Sequence, residues 1–446
     1  MLAFILPRNS RLALIQTVHS VSSSLPWAQP VPLEEGKIGK IMNDTLASSP
    51  HHPFFMTFFA GESVAADIHR RLLSCLDDLP DHSAGVRIAH PSSVHRPCSP
   101  PRGPVVWRTD HVLSGPDPGF AGWEDLPFER YLLLEKQHRL SNQGLTWSTL
   151  TSAAFMGTEA VSHGFIKEAE EWNAIRPILQ ASPAQNAGML PEGATPLITV
   201  LLCTYNDSMY LPWAIRSVLS QTFTNWELII VDDGSTDSTG EVLRRILKKH
   251  PDSRIRTVRH DRNLGKSHAL NRGLALAKGT WILELDSDDW LAPRCLQTLA
   301  EEAKNRSRAN LIYGDRIEWA ERFHKQLAYQ GIKRSLHPIT AQTILANASP
   351  IAPRMYRASL IRSLSGWNIS APWKGRLYED LELLIRVIEH SGIRYISEPL
   401  YHRRIRRESV THLHHESYSY WRRWRESQVR DSHPGAENPT AEREQE

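Results

Sequence analysis

"WILELDSDDWLAP", Trp281 to Pro293, sets the frame for the rest of the chain. It begins as an apolar run with the character of a buried strand, then crowds Asp286, Asp288 and Asp289 together. Carboxylates that close repel one another and resist burial unless a positive charge joins them. Such a cluster has a natural place in a parallel α/β sheet, where ligands bind beyond the carboxyl ends of the strands.

The sequence upstream supplies that sheet. "LITVLLC" (197–203) is a continuous apolar, β-branched run, as expected of a strand covered on both faces. "YLPWAIRSVLSQ" reads as a helix with Pro212 in its first turn. "WELIIVDD" is a second strand, and Thr236 to His250 a helix with Val242, Leu243, Ile246 and Leu247 on one side. "RIRTVRH", "GKSHALNRGLALAKG" and "WILEL" continue the alternation as strand, helix and strand. Strands alternating with helices of this length predict a mostly parallel sheet. Asp232, Asp233 and the Asp286 cluster all fall at strand ends.

Four segments then carry a resemblance: "TVLLCTYND", "QTFTNWELIIVDDGSTDST", "NLGKSHALNRGL" and "LELDSDDWLAP", in that order and spacing. Together they resemble the inverting family 2 glycosyltransferases of the GT-A fold, from about Pro196 to about Thr411. The resemblance implies an α/β GT-A nucleotide-binding fold with a mostly parallel central sheet, and an activity on a nucleotide-sugar, a UDP-sugar by preference. It implies that Asp286, Ser287 and Asp288 form an Asp-x-Asp element, with Asp288 a direct ligand of Mg²⁺ or Mn²⁺ and Asp286 nearer the ribose or a metal-bound water. A hard divalent cation prefers oxygen ligands and would relieve the carboxylate repulsion. Asp289 has a plainer use as a cap on the following helix. By the same resemblance Asp233 accepts from the N–H of the base, with Asp232 beside it, and Tyr205 lies against the base face. Either aspartate has an alternative in holding the "GSTDST" turn. Lys266 is a candidate for the diphosphate, its alternative being a solvated helix charge, and Asn271 completes the nucleotide set. Where many members carry Ala-Arg-Asn, this chain has Ala269-Leu270-Asn271.

Past Asn310 the resemblance places the acceptor half. "YEDLELLIRVIEHSG" has Leu381, Leu384, Ile385 and Ile388 on a core-facing stripe. Asp380 lies in its first turn, where the helix dipole favours a charged carboxylate. The resemblance makes Asp380 the general base for an acceptor hydroxyl and Glu379 its support. In "EPLYHRRIRRESVT", Arg404 matches an arginine that meets the donor phosphates. A histidine often follows two residues later; here it is Arg406, which leaves His402 or His412 as substitutes, or a histidine-rich surface loop. "SYSYWRRWRE" mixes aromatic and basic residues at helical spacing, fit either to dock on the core or to lie on a membrane near a lipid-linked acceptor.

A chain of 446 residues with 41% hydrophobic content implies two domains plus tails. Residues 1–50 show little periodicity and are expected to be loosely ordered. Residues 51–180 form an N-terminal region of unknown function and uncertain α/β character, irregular between Pro91 and Gly122 and helical from Glu129 to Ile178. Residues 181–196 read as a linker, 197–415 as the GT-A domain, and 416–446 as an aromatic, basic helix with a polar tail. No apolar stretch approaches the roughly 20 residues of a membrane span, and "MLAFIL" is too short for a signal-peptide core. Cys75, Cys98, Cys203 and Cys295 show neither metal-type pairing nor disulfide density. These features predict a cytoplasmic protein, with peripheral contact at the inner membrane face through the C-terminal segment as an extension. A net charge of +3 and the absence of a reader motif argue against nucleic acid as a partner. The expected partners are a nucleotide-sugar donor and a saccharide or lipid-linked acceptor. A nucleotidyltransferase would show a Gly-rich phosphate loop after the first strand, and "CTYNDSMY" has none. The alternative is a non-catalytic nucleotide-sugar-binding or scaffold protein that keeps the fold.

Overall fold

Seven consecutive buried residues, Trp226–Asp232, form a strand of the sheet that carries the acidic cluster. Burying its Ile229 and Ile230 contributes about 1.5–3 kcal/mol each, and both are fully inaccessible. A computed structural model describes residues 1–7, 11–34, 36–64, 68–89, 104–121, 131–151, 165–179, 195–305, 308–321, 327–347, 351–390, 392–406 and 416–432. The chain divides into two compact units, one built on Met1–Leu179 and one on Gln180–Arg322 with Leu327–Glu446.

The first unit holds β1 (Leu2–Leu6), α1 (Arg11–Ser24), β2 (Gln29–Pro32), α2 (Ile38–Ala47), β3 (Phe54–Phe59), α3 (Ile68–Asp77), β4 (Ser83–Ala89), β5 (Val105–Arg108), α4 (Thr109–Leu113), α5 (Leu132–Asn142), β6 (Thr146–Thr151) and α6 (Phe165–Leu179). Its six strands lie in the order β2-β1-β3-β5-β4-β6. Three expectations need correction here. The described residues of 1–50 carry β1, α1, β2 and α2: "LAFIL" is a fully buried strand too short to show a period, and it lies between β2 and β3 in the sheet. The stretch after Pro91 contains β5, a short apolar run, and then α4. The helical reading of 129–178 is broken by β6, whose "TWSTLT" pairs in parallel with β4.

The second unit follows the expected alternation: β7 (Ile198–Thr204), α7 (Leu211–Leu219), β8 (Trp226–Asp232), α8 (Thr239–Lys249), β9 (Ile255–Arg259), α9 (Lys266–Leu276) and β10 (Trp281–Asp286). Then come β11 (Trp290–Leu291), α10 (Cys295–Asn305), β12 (Leu311–Glu321), β13 (Leu327–Lys333), α11 (Ala341–Asn347), β14 (Arg354–Arg357), α12 (Ala358–Ser363), α13 (Glu379–Ile388), β15 (Ile393–Ile405) and α14 (Ser417–Ser432). The nine-stranded sheet runs β11-β15-β12-β14-β10-β7-β8-β9, with β13 beside β12. β7 through β10 are mutually parallel and β14 enters antiparallel to β10. This is the GT-A arrangement. One apolar layer packs α7, α8 and α10 on one face, and a second packs α9, α12 and α13 on the other. The strand order reverses between β7 and β10, which is where open α/β sheets form a binding crevice.

Candidate active site

Asp286 ends β10 opposite Cys203 of β7, at that reversal. Its carboxylate is 34% exposed and accepts a hydrogen bond from Lys266 Nζ at 2.8 Å. Burial alone would raise its pKa, but Lys266 and Arg354 outweigh that and hold the carboxyl at about 2. Lys266 opens α9 directly after Gly265, which sits at φ 103°, so the turn aims its side chain along the strand ends. Burial works against its charge, yet Asp286 and Glu379 raise its pKa well above the usual lysine value.

The same ammonium lies 3.0 Å from Glu379 Oε1, at the start of α13. A second cation runs parallel to it. Arg354 of β14 donates to both oxygens of Glu284, at 3.1 and 2.9 Å, and lies 3.6 Å from Asp380 Oδ2. Two cations, the half-buried Lys266 and the buried Arg354, thus stitch the acids of β10 to those of α13. Glu379 is 7% exposed and burial pushes its pKa up, whereas Asp380 is 27% exposed. Tyr378 just before them takes a left-handed conformation at φ 58°, and such strain in a bulky residue clusters at functional sites. Sequence reasoning found Lys266, Glu379 and Asp380 but missed Glu284 and Arg354.

Asp288 is 17% exposed and ion-paired with Arg406 Nη2 at 2.7 Å. Arg406 also reaches Asp207 at 3.1 Å and lies over the Tyr210 ring. Burial, with Asp288 alongside, raises the Asp207 pKa against the pull of Arg406. Asp207 stood within the "TYND" motif and was assigned no role. Arg404 is placed differently from the expectation. It is buried, donates from Nε to the Asp288 carbonyl, pairs with Glu321, and stands over Tyr210, Trp213 and Trp290. It braces the Asp288 turn from behind, and Arg406 is the guanidinium that faces the carboxylates. Asp289 is no helix cap: it accepts from the Arg404 backbone N–H at 2.7 Å, and burial pushes its pKa well up. His402 stacks on Trp290, takes the Trp319 Nε1 hydrogen bond on Nδ1, and is pushed down to about 3 by burial. It is a neutral core histidine and no metal ligand. His412 lies outside the described residues.

On the base side, Asp232 accepts from Ser235 N–H and from Arg259, so it holds the Gly-Ser-Thr turn. Asp233 accepts from the N–H groups of Leu264 and Gly265 and contacts His260 Nδ1 at 2.7 Å. It clamps the loop that delivers Lys266. Tyr205, 43% exposed, stands just past the end of β7. Asn271 donates to Trp367 O at 2.7 Å and accepts from Trp367 N–H at 2.8 Å. Both ends of its amide are spent on a brace, which removes it from donor contact.

Among the described residues no group of three or more His, Cys, Asp and Glu side chains gathers as a metal site. A magnesium-type ion that bridges a diphosphate needs only one or two protein carboxylates, the rest being phosphate and water. Asp288 and Asp286 are the carboxylates that would offer such an ion oxygen ligands, and each is held here by a cation, Arg406 and Lys266 respectively. Of the C-terminal aromatics, Trp421 is fully buried and Tyr418 donates to Leu345 O at 2.8 Å, which docks this helix on the core, whereas Tyr420 is exposed. Among the described residues no helix is long and apolar enough to cross a membrane.

Residues 199–357 match the family described as Glycosyl transferase family 2. Glycosyltransferase GlyG of Streptococcus pneumoniae serotype 4 (strain ATCC BAA-334 / TIGR4) is 34% identical over 125 residues, covering 28% of this chain and 40% of that protein. The putative glycosyltransferase EpsH of Bacillus subtilis (strain 168) is 28% identical over 223 residues, covering 48% of this chain and 63% of that one. A crystal structure of S. aureus TarS 1-349 in complex with UDP covers 47% of this chain and 61% of its own, at 22% identity and a TM-score of 0.39. The chain spans less than two thirds of the length of each of these relatives.

Proposed function

We propose that this chain, whose residues 199–357 are a family 2 glycosyltransferase domain, moves a sugar from a UDP-sugar to an acceptor hydroxyl with inversion, in the synthesis of a cell-surface polysaccharide or glycoconjugate. The observation that carries the reading is the Lys266 bridge: one ammonium 2.8 Å from Asp286 on the donor strand and 3.0 Å from Glu379 on the acceptor helix. It puts the nucleotide side and the base side of a transfer reaction within one side chain of each other.

Tyr205 offers its exposed ring to the base, and Asp233 fixes the neighbouring loop. Lys266 and Arg406 present N–H donors to the diphosphate, so charge that develops on the leaving oxygen meets cations already in place. Mg²⁺ or Mn²⁺ on Asp288 and Asp286 would add Lewis-acid stabilisation there. Asp380 takes the proton of the acceptor hydroxyl as its oxygen forms a bond to the anomeric carbon and the bond to the diphosphate breaks. One displacement from the opposite side inverts the configuration. For the acceptor, Trp373 and Tyr420 are exposed with ring centroids 5.5 Å apart, and Tyr378 beside Asp380 lies 6.4 Å from Trp373. These rings give a saccharide apolar faces to stack on.

The test is thermal stabilisation and hydrolysis across a set of nucleotide-sugars, with and without Mn²⁺. UDP-sugars should stabilise the protein, and Asp288→Ala should abolish the effect while the protein stays folded. Indifference to every nucleotide-sugar in the set would overturn the reading.

A further inference from the structure

Counted in chain order, the six strands of the first unit lie in its sheet as 2-1-3-5-4-6. With β9, β11 and β13 set aside, the other six strands of the second unit (β7, β8, β10, β12, β14, β15) lie in the same order. Directions agree at each contact. The first strand is parallel to the second and third, the fifth antiparallel to the third and fourth, and the sixth parallel to the fourth.

Shared topology alone is a weak sign, because few architectures satisfy sheet packing. The side-chain bonds are far more specific. Asn43 in α2 donates to Phe120 O at 2.9 Å and accepts from Phe120 N–H at 2.7 Å, as Asn271 in α9 does with Trp367. Each aromatic follows a left-handed glycine, Gly119 at φ 74° and Gly366 at φ 73°. Ser20 Oγ in α1 accepts from Val64 N–H at 2.9 Å, as Ser217 Oγ in α7 accepts from Leu291 N–H at 3.0 Å. Thr109 N–H reaches Pro53 O as Ala358 N–H reaches Thr280 O, both at 2.9 Å.

We infer that residues 2–151 are a second copy of the donor-binding fold whose chemistry is lost, so that the chain holds two such folds and one donor site. This rests on the donor reading of the second unit. Strand register fixes the comparison: Leu6 of β1 faces Phe59, where Cys203 of β7 faces Asp286. Phe59 therefore stands in the place of Asp286, and two residues on, Gly61 stands in the place of Asp288. Glu62, in the place of Asp289, folds back to accept the Phe59 N–H at 2.8 Å. Thr57 and Val105, paired in register, replace the Glu284–Arg354 ion pair. The helix that opens with Glu379 and Asp380 in the second unit opens with the buried Leu132 and Leu133 in the first. Packing and turn residues persist while, Glu62 apart, the charged ones named here are gone.

The test uses the full chain. Calorimetric titration with UDP in Mn²⁺ should give one equivalent bound to the wild type and none to Asp286→Ala/Asp288→Ala. Photolabelling of the wild type with 5-azido-UDP should mark only peptides from residues 195–305. Two equivalents, one equivalent surviving the double variant, or label in peptides from residues 1–64 would overturn the inference and leave the second unit's donor reading intact. If the double variant does not fold, labelling of the wild type decides alone. A wild type that neither binds UDP nor takes label overturns the donor reading instead, and still supports the silence of the first unit.

Discussion

Replacing Lys266 by Met keeps the length and helix propensity of the side chain and removes the charge that joins the two motifs. Two carboxylates then face one pocket without their nearest cation, having stood 2.8 and 3.0 Å from it. Breaking a fully buried ion pair from one side costs about 3–5 kcal/mol. Asp286 is about a third exposed, so solvent screening reduces this to about 2–3 kcal/mol. In a unit of this size that lowers Tm by about 5–10 °C at pH 7. The pH dependence follows from the direction of each shift. In the wild type Asp286 is held at about 2, so its contribution is present above the unfolded value and is lost as pH falls toward 2. In the variant that depression shrinks, with Arg354 and Arg403 remaining, and Glu379, already pushed up by burial, rises further. Low pH protonates both acids and relieves the repulsion. Calorimetry should therefore find the gap between wild type and variant widest near pH 7 and narrowing toward pH 4. A gap below about 1 °C, or one that ignores pH, would mean that Lys266 is only a solvated helix charge.

Asp380→Asn should lower single-turnover transfer by about a hundredfold while a UDP titration remains unchanged; near-normal transfer would return Asp380 to the role of a helix-start charge. UDP at about 100 times its Kd should stabilise the protein by about 2.7 kcal/mol only when Mg²⁺ or Mn²⁺ is present, and equal stabilisation in chelator would sink the metal bridge. Arg406→Gln should lower the Mn²⁺ concentration needed for that stabilisation, since Arg406 competes for Asp288; an unchanged requirement would refute the competition. Trp421→Ala should destabilise by about 3–5 kcal/mol without altering retention on anionic vesicles, whereas lost vesicle binding at constant Tm would restore the membrane reading of α14.

Strands buried on both faces were legible because their apolar runs are continuous, as in β7, β8 and β10. β5 and β6 were not: four residues after a proline-rich stretch, and six with mixed polarity, carry no usable period. The acids of the crevice were visible as motifs, but their partners were not. Glu284 and Arg354 are seventy residues apart in sequence and meet only because β14 pairs antiparallel with β10. A motif also says nothing about which of its polar atoms is already spent. Asp232, Asp233 and Asn271 all lie in recognised segments, yet hydrogen bonds to Ser235, Leu264, Gly265 and Trp367 commit them to holding loops. The repeat within the chain escaped sequence reading for the converse reason. What the units share is an asparagine brace, a serine contact and left-handed glycines, residues whose roles appear only once their partners are in place.

The two acids at the start of α13 are not interchangeable, and their surroundings favour one of them as the base of the proposed transfer. Glu379 is nearly enclosed and bonded to Lys266, so any proton it gained would come at the expense of the bridge that positions the donor-side cation. Asp380 is more open, and its ion pair with Arg354 is the looser contact at 3.6 Å. Its Oδ1 accepts from the Leu381 N–H at 2.9 Å, which orients the group without filling both oxygens. A general base must gain and release a proton without dismantling its own support. Asp380 meets that condition because Arg354 remains anchored by both oxygens of Glu284 whichever way the proton moves. Glu379 does not, since Lys266 would lose one of its two carboxylates at the moment the leaving diphosphate most needs a fixed cation. In the proposed transfer, proton transfer thus falls to Asp380 and cation placement to Glu379, and both rest on a buried pair, Glu284 and Arg354.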